Sequence, residues 1–266
     1  MYLLFSNIKI KIIISKISRK GLISKMKVKV VKLFEGGSFN EEFLFGGENK
    51  ADGRKDVTYP GSLQNFLIDT GSEVILVDTG FQPNFEYKGY TKILDYVPAL
   101  EALGYKPEQV SKILVTHKHP DHSGELRSFP NAKIYIGPED ADALKLTGDN
   151  IIRCEYTDGA YHNFPESQKI ADGVYFIKAR GHTKGNSIVI AEGDDGVYYM
   201  MHGDVTYVDA ALHKNKLSVV FEDLPAARET LDRVREFVKN NPTVYLSTHT
   251  PEGVTNLENK VIMKLG

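Results

Sequence analysis

One cysteine in 266 residues, Cys154, excludes a disulfide framework and any structural zinc site built on thiolates. Any metal must be held by His, Asp or Glu. With no base motif beside it, Cys154 reads as a buried or loop thiol, not a nucleophile, and a lone cysteine fits a reducing, cytoplasmic setting. Long clean apolar runs are missing as well. The first 25 residues, MYLLFSNIKIKIIISKISRKGLISK, contain no acid and six basic residues: Lys9, Lys11, Lys16, Arg19, Lys20 and Lys25. Those charges interrupt every apolar stretch, and no small-residue cleavage site follows. The segment is therefore neither an export signal nor a membrane span, and no membrane insertion is expected. It reads as a membrane-surface tail, a disordered leader, or residues upstream of a true start at Met26. The last is preferred, because a strand signal (KVKVVKLF) opens directly after Met26. From Met26 onward 27 basic residues face 35 acidic ones. That balance makes a poor nucleic-acid binder, since phosphate contacts need concentrated Lys and Arg.

There are only 8 histidines, yet three of them and one aspartate fall within six positions of THKHPDHSG, Thr116 to Gly124. A pattern H-x-H-x-D-H arises by chance in roughly one of a few thousand such chains, so it is read as a site. The apolar run KILVT, a buried strand of the α/β kind, leads straight into it. Elsewhere the chain predicts a strand over Lys27 to Phe34, then a glycine-rich stretch up to Ser62 that is too polar and broken for regular structure. Next come a hairpin of Leu63 to Asp69 and Glu73 to Asp78, and a helix from about Lys92 to Leu103. Past the histidines come a short helix near Ser123 to Ser128, a strand at Ala132 to Ile136 and a helix over Pro138 to Lys145. A loop-rich aromatic insertion, Leu146 to Gln168, carries Tyr156, Tyr161 and Phe164. These aromatics read as core more than pocket, although an acyl chain would need such a wall. Strands at Val174 to Ala179, Ser187 to Glu192 and Val197 to Met201, a helix over Leu224 to Asn240 and the strand TVYLSTH complete the pattern. With no internal repeat and no linker, residues 26–266 read as a single layered α/β domain.

Other strand ends carry the remaining candidates: His182 after Gly181, Asp204 after Gly203, and His249. Five His and two Asp are too many for one tetrahedral ion and suit two ions sharing a carboxylate. His117 and His119, two apart in extended chain, point to one side and grip the first ion, which His182 completes. Pro120 turns the chain so that Asp121 and His122 face a second ion, completed by His249, and Asp204 bridges the two. Asp78, ending the VDTG strand, is either a turn residue or an acceptor orienting a metal-bound His, with the second preferred. His202 shares a face with Asp204 but is read as a neighbour, and His162 and His213 as surface or loop residues.

HKHPDH, GHTKGNS, MHGD, LVDTG and STH occur here in the order found in the metallo-β-lactamase-fold hydrolases, and the chain resembles that family over nearly everything after Met26. The resemblance implies an αββα four-layer sandwich with a two-metal site along one edge. His119 stands where flavin-linked di-iron members carry Glu and no flavodoxin-like domain follows, so electron transfer is not implied. Within the family the chain is most similar to the N-acyl-homoserine lactonases, which carry a tyrosine at the place of Tyr207 in DVTY. Glyoxalase II, the rival, usually adds a C-terminal helical domain, whereas 17 residues follow His249 here. What the likeness implies is a small acyl substrate whose lactone carbonyl is attacked by a hydroxide bridging two divalent ions. Zinc comes first among those ions, with iron, manganese and cobalt as alternatives. Asp121 would move the proton and Tyr207 would donate to the oxyanion, unless Tyr207 merely packs. A homodimer is implied by resemblance only. The alternatives are a thioesterase or other ester hydrolase on the same metals and, more distantly, a non-enzymatic metal-binding protein.

Overall fold

Leu67, Leu76 and Ile113 point one way and Phe66, Ile68, Ile75, Val77 and Leu114 the other, the period-two alternation of strands buried on both faces. In the computed structural model, which describes residues 26–266, these strands belong to the first of two sheets. The readings of the 1–25 segment lie outside the described residues. The first sheet holds β1 (Lys27–Asn40), β2 (Thr58–Asp69), β3 (Val74–Val77), β4 (Thr91–Lys92), β5 (Val110–Val115), β6 (Lys133–Ile136) and β7 (Ile151–Arg153), in the order β4-β1-β2-β3-β5-β6-β7. The second holds β8 (Ser167–Ala171), β9 (Val174–Lys178), β10 (Ser187–Glu192), β11 (Tyr198–Met201) and β12 (Thr243–Leu246), in the order β12-β11-β10-β9-β8. Helices are α1 (Glu41–Phe45), α2 (Tyr96–Ala102), α3 (Pro120–Ser123), α4 (Pro138–Ala143), α5 (Asp209–Lys214), α6 (Leu224–Asn240) and α7 (Glu252–Glu258).

Between the sheets, Phe66, Ile68, Val77 and Leu114 meet Phe176, Val189, Met201 and Leu246. Tyr96, Ala99 and Leu100 of α2 and Ala141 of α4 cover the outer face of the first sheet, while Leu231, Val234 and Phe237 of α6 cover that of the second. The layers are thus helix, sheet, sheet, helix, an αββα sandwich. Within α6 the buried positions recur at helical spacing, Asp223 caps the first turn by accepting from Ala226 N at 3.0 Å, and Pro225 starts it.

Several local expectations give way. The stretch expected to be irregular continues β1 as far as Asn40, whose side chain caps α1. Register shifts near Phe34 and a positive φ of 80° at Gly36 let a polar, glycine-rich segment stay paired with β2. Gly37 pairs with Gly61, and a side chain at Gly37 would start 2.0 Å from the Tyr90 ring, so the missing Cβ makes a shelf for that aromatic. The helix expected from Lys92 begins at Tyr96, because Thr91 and Lys92 pair with β1. Beyond the histidines, Pro120 to Ser123 form one helical turn and Leu126 to Ser128 a separate 3₁₀ turn. The insertion expected to be loop-rich contributes the edge strand β7, while its Tyr156, Tyr161 and Phe164 enter the core as expected.

β3, β5, β9, β11 and β12 end on the segments carrying Asp78, His117, His182, Asp204 and His249, so strand direction alone delivers the candidate residues to one edge. Among the described residues no helix is long and apolar enough to cross a membrane. Next to His182, Gly181 has a φ of 136°, and a Cβ there would lie 2.2 Å from Ala227 Cα at the start of α6. Gly181→Ala should lower stability by about 2 kcal/mol in urea unfolding. An unchanged midpoint would show that the loop can move away from α6 freely.

Candidate metal centre

The strand β5 is buried through Val115, and Thr116 and His117 follow it at zero exposure. His119 stays extended (φ −63°, ψ 147°) as the residue before α3, and Pro120 supplies the preset φ of a first helical turn. That switch from strand end to helix start sends His117 and His119 to one side and Asp121 and His122 to the other.

Two groups of possible ligand atoms result, each within 4.8 Å: His117, His119, His182 and Asp204, and separately Asp121, His122 and His249. This is the same division that the spacing suggests. In the first, His119 Nδ1 lies 3.1 Å from His117 Nε2 and 2.9 Å from His182 Nε2. Asp204 stands between the groups: Oδ2 is 3.4 Å from His182 Nε2 and 3.0 Å from His249 Nε2, while Oδ1 is 3.2 Å from His122 Nε2. Asp121 Oδ2 approaches His249 Nε2 at 3.5 Å and His122 Nε2 at 3.8 Å.

The donor set fits cations. Three imidazole nitrogens converging at these distances cannot all carry protons, and His122 Nε2 and Asp204 Oδ1 are buried facing each other without a well-aligned hydrogen bond. Burial, helped by neighbouring histidines, pushes His117 well down, and burial takes His182 to about 4, so both present lone pairs at neutral pH. Burial opposes charge on Asp204 too, yet His249, His122 and His182 hold it well below the usual carboxylate range. Burial likewise works against charge on His122, which Asp204, Asp78 and Asp121 nonetheless lift well above its ordinary value.

A second layer fixes the rings. Asp78, at a positive φ of 64°, accepts from Thr116 N at 2.7 Å, Thr116 Oγ1 at 2.8 Å and His122 Nδ1 at 2.8 Å. That leaves His122 Nε2 facing the site, the arrangement expected of an oriented metal ligand. His182 Nδ1 donates to Val220 O at 3.1 Å. Across the sheets, Ser62 N and Gln64 N donate to His249 O and Thr248 O, and Gln64 Nε2 reaches Ser247 O and Thr250 O, clamping the loop that carries His249.

Tyr207 stacks on His249 with ring centroids 4.7 Å apart, and burial together with Asp204 and Asp121 raises its phenol well above the ordinary value. Phe39 and Phe43 pack against Tyr207 at 5.6 and 5.0 Å, and Phe39 also meets the His249 ring at 6.1 Å. Sequence reading missed both, because they sit in the stretch dismissed as irregular. Cys154 is buried with its thiol pushed up to about 12 by desolvation, and it lies in the inter-sheet core. His162 and His213 are exposed, as expected. His202 is fully buried, stacked on Tyr245 at 3.9 Å, with both ring nitrogens unpartnered and in neither ligand group.

Residues 59–251, a span containing all seven side chains and Asp78, match the profile of the metallo-beta-lactamase superfamily. The chain belongs to this superfamily. An N-acyl homoserine lactonase of Bacillus cereus is 25% identical to it over 207 residues, 70% of this chain and 82% of the relative. A probable metallo-hydrolase of Mycobacterium bovis is 26% identical over 174 residues, 53% of this chain and 56% of that protein. Among solved structures, an N-acyl homoserine lactone hydrolase with N-hexanoyl-L-homoserine at its catalytic metal center shares the fold with a TM-score of 0.67 at 17% identity, covering 88% of this chain and 96% of that one. A dizinc quorum-quenching lactonase gives 0.61 at 19% identity, with 86% and 92% covered. As a metallo-beta-lactamase-superfamily hydrolase, the chain carries its His and Asp groups at the sheet edge described above.

Burial holds His202 down at about 3 in the folded protein, from an ordinary 6.5. Between those values the unfolded chain binds the proton and the folded chain does not, so this residue costs stability as pH falls below 6.5. In metal-free protein, His202→Phe should gain about 2 kcal/mol more at pH 5 than at pH 7.5, read from urea midpoints. An equal effect at both values would mean that the folded protein accommodates the imidazolium.

Proposed function

We propose that this hydrolase opens a lactone ring, with N-acyl-homoserine lactones as the foremost substrates and two divalent ions, zinc first among them, as cofactor. The observation that carries the reading is Tyr207: a buried phenol kept protonated beside Asp204 and Asp121, stacked on His249 and backed by Phe39 and Phe43. A donor in that position suits an oxyanion forming at a carbonyl above the two groups, and the aromatic wall beside it suits an apolar acyl chain. The names of the curated relatives lend support in the same direction.

Two ions bound by these groups supply an activated water at neutral pH and polarise the substrate carbonyl. The chain's own part is positioning and proton transfer. His117, His119 and His182 would hold one ion and Asp121, His122 and His249 the other, with Asp204 placed between the two groups. Asp121 has 15% of its side chain exposed, against zero to 3% for the buried His122, Asp204 and His249, so its carboxylate is the one open to substrate and water. It takes the proton of the attacking water and returns it to the ring oxygen as that bond breaks. Tyr207 donates to the carbonyl oxygen during the attack.

The deciding assay is proton release by metal-loaded protein against matched panels of acyl-homoserine lactones and glutathione thioesters, with chelated protein as control. Metal-dependent release from lactones alone is expected, and release from thioesters alone would replace this reading with that of a thioesterase. Asp121→Asn should keep most of its metal but lose at least about a hundredfold in turnover. Near-normal turnover in the metal-loaded variant would remove Asp121 from proton transfer.

A further inference from the structure

Asp78 orients the second ligand group, and the first has a carboxylate of its own that no motif announces. Asp140, in α4, has no exposed surface. Its Oδ2 accepts from Lys118 N at 3.0 Å and from Thr183 Oγ1 at 2.6 Å, and its Oδ1 from Gly185 N at 3.2 Å. Lys118 lies between His117 and His119, and Thr183 follows His182. A single buried carboxylate therefore joins the two loops that carry the three imidazoles of the first group, loops that come from different sheets.

The surroundings are shaped to admit it. A Cβ at Gly185 would lie 2.7 Å from Asp140 Cγ, and one at Gly137 would lie 2.3 Å from Gly185 O. Both glycines let backbone close around the carboxylate, which is how three donors from two loops can reach one side chain. Outside it, Glu222 repeats the connection by accepting from Lys184 N at 2.9 Å and from Lys118 Nζ at 2.5 Å. Burying an anion is costly, and an apolar residue would suffice if α4 merely had to pack against the sheet. Three well-formed hydrogen bonds aimed at the two ligand loops give this anion a specific task.

We propose that Asp140 is the positioning residue of the three-histidine group: it sets the spacing between the 117–119 and 181–185 loops, and hence how tightly that group holds its ion, without touching ion or substrate. The inference rests on the two-ion reading of the site. Outer partners of this kind change metal affinity by about 10- to 100-fold when removed.

The test measures zinc stoichiometry and both dissociation constants by chelator competition in wild type, Asp140→Ala and Asp140→Asn. Anomalous scattering from crystals at limiting zinc then identifies the retained ion, and urea unfolding of the metal-free forms reports stability. Asp140→Ala should weaken the three-histidine ion by about 100-fold and leave the other within about twofold. Asp140→Asn keeps the shape and part of the accepting capacity, so it should fall between Ala and wild type. Equal weakening of both ions, in step with lost stability of the metal-free protein, would make Asp140 a structural residue only, and unchanged affinity for the first ion would refute the proposal outright. Wild-type protein that takes up fewer than two ions would overturn the two-ion reading and this inference together, an outcome distinct from failure of the variants alone.

Discussion

The Asp204 carboxylate, 3% exposed, stands 3.0 Å from His249, 3.2 Å from His122 and 3.4 Å from His182, and a buried anion survives only where positive charge and donors surround it. Here burial itself pushes the nearby imidazoles of His117 and His182 toward neutrality. The balance is met unevenly: His122 is driven up by three carboxylates while His117 and His182 are driven down. A pocket in which one firm anion and neutral nitrogen donors converge is suited to hold cations. The donors are His and Asp, so the site selects for charge and geometry more than for a particular metal.

That requirement reaches back into the fold. Rings must be held at fixed angles, and this chain holds them through carboxylates and carbonyls placed one layer out: Asp78 on His122, Val220 O on His182, and Gln64 on the loop of His249. Asp78 must adopt a left-handed backbone conformation to do so, with Tyr96 donating to its carbonyl at 2.8 Å to hold it there. Strain at a strand end is thus balanced by a tyrosine of the covering helix. Packing of the outer layer and orientation of the ligands are parts of one constraint.

Much of this was legible in the sequence, and the remainder was hidden for definite reasons. The seven candidate ligands stand in short motifs at strand ends, where chemistry imposes both residue type and spacing, so they can be read without knowing the fold. The long helix Leu224–Asn240 was equally plain, because its 3.6-residue periodicity and its cap coincide. Phe39 and Phe43 were hidden because a glycine-rich, polar segment looks irregular until a partner strand supplies its hydrogen bonds. Asp140 was hidden for another reason: PEDADA on a short helix reads as a solvated acidic face, and only the tertiary approach of two glycines turns one of its acids inward. Local pattern reports the first layer of a site well, and it reports poorly any layer whose partners are distant in sequence.

The distribution of ligands between the sheets has a mechanical consequence. His117, His119, Asp121 and His122 follow a strand of the first sheet, whereas His182, Asp204 and His249 follow strands of the second. Each group therefore draws on both sheets, and an ion bound in either one joins them at the edge where the inter-sheet core of Phe66, Leu114 and Met201 ends and backbone polar groups begin. Binding to the folded form alone adds stability that grows as the logarithm of the ratio of free ion to dissociation constant, about 2.7 kcal/mol when that ratio is a hundred. The clamp from Ser62 and Gln64 to the carbonyls of Ser247, Thr248, His249 and Thr250 does the same work without metal, by four hydrogen bonds across the same seam. Cross-sheet hydrogen bonds hold the edge in register so that the ligands meet. An ion bound there would reinforce that register, making affinity and rigidity at the seam two measures of the same coupling.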